Sequence, residues 1–414
     1  MHLNAAQSSG PLSRSTIVTP SRFSRIQPGR AQGMKNYWHE YQPLAPFWCS
    51  CAAISESVVR GGKVAVMRAM TVVPGHKGTA GVETVGEPPV AQGELLVSGR
   101  LVGVCGTDRE IAEGSYGEPP TGEARLVLGH EGLGEVLEAP AGSGFERGDL
   151  VVGIVRRPDP VSCPACAAGH WDMCRNDRFT ERGIVRGHGY GSERWRVEPE
   201  FAVSLPRQLG DLGVLLEPTS VLAKAWDQIE RISSRGFFLG ERGLVCGAGP
   251  IGLLACVLGV QRGYEMHVVD LATGGVKRDL VEGLGAYYHA GDAAEVDVDA
   301  DVVIECTGLG AVGRAAARRL VNGGIMCLTG IMNAEAAPDV DATAMNREMV
   351  LRNAVLFGTV NAGRRHWEQA VTALAAADPA WLSAMITRRV PLERWTDALT
   401  RGPDDVKVVV DLCA

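Results

Sequence analysis

The chain has 414 residues, 45% of them hydrophobic, enough for two domains that each bury a core of their own. A formal net charge of −7 excludes the basic surface that a nucleic-acid backbone demands, and leaves small metabolites and nucleotide cofactors as ligands. The 11 cysteines stand at uneven spacings in a long chain, which reads as metal ligation in a reducing, cytoplasmic setting rather than as a disulfide framework.

Residues 1–66 are rich in Ser, Arg, Gln and Pro and poor in acids, without periodicity. They read as a disordered extension, as a transit peptide, or as residues upstream of a true start near Met67; the last reading is preferred. No secretory signal is recognisable. From 67 to 235 short strands alternate with glycine turns ("GELLVSGRLVGVCG", "EGLGEVLEAP", "RGDLVVGIV"), which predicts a mostly antiparallel β domain. It closes on a helix, "TSVLAKAWDQIERI", with Thr219 or Ser220 as N-cap. From 236 to 360 strands alternate with helix-length segments, which predicts a doubly wound parallel sheet. Residues 361–414 offer one helix and a final strand that return to the first domain.

The most apolar stretch, Leu244–Val260, is long enough to raise a membrane span but contains Gly247, Gly249, Pro250, Gly252 and Gly259. "LVCGAGPIGLLA" is better read as Gly247-x-Gly249-x-x-Gly252 between a strand and a helix, so no membrane partner is expected. Those glycines allow the backbone to approach a pyrophosphate seated on the helix N-terminus. Asp270 ends the next strand at the spacing where a carboxylate accepts ribose hydroxyls. An acid there favours NAD, while Lys277 and Arg278 leave NADP open. Pro250, Ile251 and Thr307 complete the candidate cofactor contacts of this segment.

"GVCGTD" places Cys105 after a strand, "LGHEGLGEV" places His130 and Glu131 before another, and "LLEPTS" places Glu217 before a helix. A thiolate, an imidazole and a carboxylate can build a tetrahedral zinc site with one open position, as a catalytic ion needs. Taken singly, each residue has a plainer use as a small buried thiol or a structural hydrogen-bond partner.

In this order, "VGVCGTD", "LGHEGLGEV" and "GAGPIG" resemble the medium-chain zinc-dependent alcohol dehydrogenase superfamily over about residues 68–414. "VRRPDP", "FTERGI", "HGYGSERW", "VLLEPTSVLAKAW" and "VLFGTVNAGRRHWEQA" are similar to its glucose 1-dehydrogenase branch. The resemblance implies a GroES-like β domain followed by a Rossmann domain. It implies a catalytic zinc on Cys105, His130 and Glu217, with Glu131 beside it as an alternative ligand or a supporting carboxylate. It also implies Thr107 on the reacting hydroxyl, Glu181 gripping a sugar hydroxyl, Glu217 near the substrate, and Asn361 between substrate and nicotinamide. A sugar or polyol substrate and a homo-oligomer, dimer or tetramer, are expected with it. Sorbitol, xylitol or threonine dehydrogenation remains the alternative chemistry, and a zinc- and cofactor-binding regulator or a lens-type crystallin the alternative without turnover.

A second cluster, Cys163-x2-Cys166-x7-Cys174, lacks the first cysteine of the superfamily's structural-zinc pattern, whose position is Pro160. Structural zinc takes four ligands. Asp159 is the candidate for the fourth, His170 the second choice, and loss of the metal the third reading.

Overall fold

A computed structural model of the chain describes residues 56–59, 62–331 and 342–413, all within one compact unit, Ser50–Ala414. Of the expected extension, residues 1–55 lie outside the described residues. The strands Glu56–Val59 and Gly62–Val72 pair antiparallel. The boundary expected at Met67 therefore falls inside a strand, because pairing with the Gly81–Gly86 strand continues through Val66.

The first domain is built on a seven-stranded sheet centred on Leu95–Val104. Glu131–Glu138, Arg194–Val197 and the late strand Lys407–Asp411 all pair with it antiparallel. Lys407–Asp411 in turn takes Ile386–Pro391 as a parallel neighbour. The chain's last strand is thus built into the sheet of the first domain.

The second domain is a six-stranded sheet in the order Tyr287–Ala290, Glu265–Asp270, Arg242–Cys246, Ala300–Glu305, Leu320–Leu328, Val355–Gly358. Every pairing is parallel, which is the doubly wound order whose ligands bind beyond the carboxyl ends of the strands. Both faces are buried, so the strands read as continuous apolar runs. Period-two alternation sends Val245, Val268 and Ile304 into the main core and Leu244, Val269 and Val303 into a second cluster on the other face.

The helix expected to start at Thr219 or Ser220 starts earlier and spans Leu216–Ser233, with no side-chain cap. Pro218 fits its first turn because an N–H there has no intrahelical acceptor. Thr219 Oγ1 and Ser220 Oγ instead donate backwards, to Leu215 O at 2.6 Å and Glu217 O at 2.7 Å. No helix among the described residues is long and apolar enough to cross a membrane.

Candidate active site

Strand register gathers the first cluster. Glu131 lies opposite Gly103, and Val408 opposite Val104, so Cys105, His130, Glu131 and Lys407 converge at one end of the sheet. Cys105 is the N-cap of the Gly106–Ala112 helix and shares a capping box with Asp108, whose Oδ2 accepts the Cys105 N–H at 2.9 Å. Cys105 Sγ faces His130 Nε2 at 3.0 Å, and His130 Nδ1 faces Asp108 Oδ1 at 3.4 Å. Thr107 N donates to Cys105 Sγ at 3.3 Å.

Two triads of candidate ligand atoms, each mutually within 4.8 Å, share His130: Cys105–Asp108–His130 and His130–Glu131–Glu217. Cys105 and Glu217 meet only through the shared imidazole. Glu131 is ion-paired to Lys407, both nearly fully buried. Burial alone would lower the His130 pKa, but the Cys105 and Asp108 charges hold it well above its ordinary value. Burial, with Glu131 and Asp108 nearby, pushes the Glu217 carboxyl up to about 7, against the pull of His130 and Lys407.

Zinc fits this donor set. A soft sulfur and an imidazole nitrogen face each other, and the far nitrogen of the ring is backed by a buried carboxylate, the partner that orients zinc-bound histidines. Asp108 Oδ1 and His130 Nδ1 have no closer hydrogen-bond partner among the described residues. Asp108 and Lys407 are the residues that sequence reasoning missed. The Asp at the third helical position of "CGTD" and the lone charge in "VKVVV" were the available signals.

The nucleotide turn lies at the carboxyl end of the central parallel strand. Gly247 sits at φ 97°, and a Cβ at Gly252 would run into the Gly247 carbonyl oxygen, so both positions require glycine. The Pro250–Gln261 helix that follows has neither a side-chain cap nor an acid in its first turn, which leaves its N–H groups for a pyrophosphate. Ile251 lies in that first turn. Asp270 accepts Ala248 N at 2.8 Å, Ala272 N at 3.0 Å and Lys277 Nζ at 3.0 Å. Burial opposes ionisation of Asp270, but these donors outweigh it and lower its pKa. Lys277, weighed above as a phosphate contact, is thus committed to Asp270. Thr307 lies beside Gly247, its hydroxyl bound to the Glu305 carboxylate and accepting Leu309 N at 3.1 Å.

Glu181 and Asn361 are buried, not loop-surface groups, and they meet. Asn361 Nδ2 donates to Glu181 Oε1 at 2.9 Å. Arg156 Nε and Nη2 donate to the same oxygen at 3.0 and 2.8 Å. All three bonds fall on Oε1, which leaves Oε2 without one among the described residues. Asn361 holds φ 60° three residues beyond the edge strand Val355–Gly358. Glu217 and Lys224 link the two clusters. They are two turns apart on the Leu216–Ser233 helix, about 10 Å along one face, and Lys224 Nζ donates to Val360 O at 3.1 Å.

The Cys163, Cys166 and Cys174 sulfurs lie within 4.8 Å of one another. Asp159 does not join them: its carboxylate accepts Val161 N at 2.8 Å and Asn176 Nδ2 at 2.7 Å. Both of its oxygens are thus engaged by neighbours in the lobe, through an Asx turn and Asn176.

Comparisons with known proteins match the two-domain fold. Residues 91–207 match the alcohol dehydrogenase GroES-like domain, and 210–412 match the glucose dehydrogenase C-terminus. The chain is 37% identical to a glucose 1-dehydrogenase of Methanocella arvoryzae, over 84% of this chain and 100% of that protein. It is 36% identical to one of Thermoproteus tenax, over 84% and 99%. The crystal structure of Haloferax mediterranei glucose dehydrogenase superposes with a TM-score of 0.76 at 31% identity, covering 83% of this chain and 99% of that one. The same enzyme in complex with NADP, Zn and gluconolactone superposes with a TM-score of 0.75 at 30% identity, over 83% and 99%. With its zinc-type donor set and its nucleotide turn in the family's order, the chain belongs to the glucose 1-dehydrogenase family of zinc-dependent, NAD(P)-linked alcohol dehydrogenases.

Proposed function

We propose that the protein oxidises the C1 hydroxyl of an aldose, D-glucose foremost, to the lactone, passing the hydride to NAD(P) and the hydroxyl proton to solvent. The observation that carries this reading is the Asn361–Glu181 pair. A buried carboxylate with one oxygen triply bonded and the other open suits a ligand with several hydroxyls, because each unmet hydroxyl would cost a buried polar partner. The Haloferax relative bound to gluconolactone supports it.

Cys105, His130 and Glu217 are the residues that would hold zinc, with Glu131 kept beside them by Lys407. When bound, zinc supplies Lewis acidity toward the C1 oxygen and the nicotinamide supplies the hydride acceptor. Thr107 Oγ1 receives the C1 hydroxyl proton and relays it. Glu181 Oε2 and Asn361 orient the ring, with Asn361 also facing the nicotinamide. The Pro250–Gln261 helix N-terminus takes the pyrophosphate and Asp270 the ribose hydroxyls, so NAD is the preferred cofactor and NADP the secondary one. The expected homo-oligomer is checked by light scattering.

Cys105→Ala or His130→Ala tests the reading. Each is expected to abolish turnover while cofactor titration stays unchanged. Turnover retained in either variant would overturn it.

A further inference from the structure

Between the second and third cysteines of the lobe lies Asp172, a buried carboxylate that the chemistry above does not use. Its Oδ2 pairs with Lys224 Nζ at 2.8 Å, with both side chains 3% exposed. Lys224 Nζ also donates to Val360 O at 3.1 Å, one residue before Asn361. The Asp172 carbonyl accepts Arg156 Nη1 at 3.4 Å, and Arg156 is the residue that holds Glu181. On its remaining side, Asp172 Oδ1 would lie 2.9 Å from a Cβ at Gly363, the N-cap of the Arg364–Ala376 helix. One residue therefore reaches both arms of the candidate sugar grip.

We infer that Asp172 is a positioning residue for the sugar, its carboxylate setting the place of Asn361 against Glu181 through Lys224, while its backbone carbonyl meets Arg156. The inference rests on the reading of Glu181 and Asn361 as the sugar's partners. A buried ion pair is a poor source of stability, because desolvation offsets the attraction, but it fixes geometry well. Lys224 is long and flexible. Tied to Asp172 at one contact and to Val360 O at another, it loses that freedom and pins the segment that enters Asn361. Asn361 needs such pinning because its left-handed backbone is sparsely populated for a non-glycine residue. With the carboxylate neutralised, Lys224 is released, Asn361 relaxes and its amide drifts from Glu181. The sugar then loses oriented partners, while the Gly247–Gly252 turn is untouched.

The test is steady-state kinetics of zinc-loaded full-length Asp172→Asn, with Glu181→Gln and Asn361→Ala as references and cofactor affinity titrated separately. Asp172→Asn is expected to raise the glucose KM about tenfold or more, with kcat within about threefold and cofactor affinity falling by no more than in the Asn361→Ala reference. Combined with Glu181→Gln, it should add little beyond Glu181→Gln alone, since both act on one grip. An unchanged KM, fully multiplicative effects, or a parallel loss of kcat, cofactor affinity and thermal stability would overturn the inference. If Asp172→Asn does not fold, Lys224→Gln, which removes the charge that pairs with Asp172, must show the same KM split. Should Glu181→Gln and Asn361→Ala themselves leave the glucose KM unchanged, the sugar-site reading fails. A raised KM in those two beside an unchanged one in Asp172→Asn removes only the role of Asp172.

Discussion

Asp108 Oδ1 stands 3.4 Å from His130 Nδ1, on the far side of the imidazole whose Nε2 faces Cys105 Sγ at 3.0 Å. The same carboxylate takes the Cys105 N–H at 2.9 Å, so one buried acid orients both the sulfur and the nitrogen donor. Such partners typically contribute about 10–100-fold to metal affinity. Asp108→Ala is therefore expected to weaken zinc binding by about that factor in a competitive chelator titration. Unchanged affinity would remove Asp108 from the site.

Proton release should accompany zinc uptake. With no metal bound, the neighbouring Cys105 and Asp108 charges hold His130 protonated well above its usual range, despite burial, and Glu217 titrates at about 7. An imidazolium offers zinc no lone pair, and a carboxylic acid is a far weaker ligand than its carboxylate, so both protons must leave. Zinc affinity should rise with pH. Calorimetry in buffers of different ionisation enthalpy should show more protons released at about pH 6 than at about pH 8, where Glu217 is already ionised. Equal release at both values would contradict the assigned donors.

Cofactor choice should turn on Asp270. Its carboxylate is already bound by Lys277 and two backbone N–H groups, so it stays charged beside the expected ribose and repels a 2′-phosphate. Asp270→Asn removes that repulsion and releases Lys277 to meet a phosphate. The ratio of kcat/KM for NAD over NADP is expected to fall by about tenfold or more, roughly 1.4 kcal/mol. An unchanged ratio would place discrimination elsewhere.

The cysteine lobe makes a fourth prediction. Backbone N–H groups of Arg175 and Cys166 each reach Cys163 Sγ at 3.4 Å and draw its thiol down to about 7, while burial pushes Cys166 up to about 11. A polarised sulfur beside two others is prepared for a metal, but the Asp159 oxygens are engaged by Val161 N and Asn176 Nδ2. Pro160→Cys should supply the missing ligand and slow zinc loss to a chelator by about tenfold or more. No change in zinc content or release would mean that the lobe takes no metal.

The nucleotide turn and the strand-rich first domain are legible in the sequence because their signals are local. Glycines at fixed offsets between an apolar strand and a helix have few other uses, and short apolar β-branched runs between glycine turns declare strands. Cys105, His130 and Glu217 could be proposed as zinc donors because residue type limits what binds zinc. Their supports could not. Asp108 reads as an ordinary first-turn acid, and Lys407 as a solvated charge on a strand, although it pairs with Glu131 far away in the chain. The N-cap expected at Thr219 or Ser220 went astray for a related reason: tertiary packing of Leu216 and Pro218 begins the helix before the residues best suited to cap it. Asp159, the expected fourth ligand, is bound to Val161 N and Asn176 Nδ2 instead of joining the three sulfurs, because proximity in sequence does not fix which partners a carboxylate takes.

The most direct test of the account is a substrate panel with zinc-loaded protein. Reduced nicotinamide formation would be followed for D-glucose, sorbitol, xylitol and L-threonine, with NAD and with NADP, and repeated after rigorous metal removal. The account predicts the highest kcat/KM for D-glucose, a lactone product, and loss of activity without metal that zinc restores. A polyol or threonine outrunning glucose, or full activity in the metal-free protein, would contradict it.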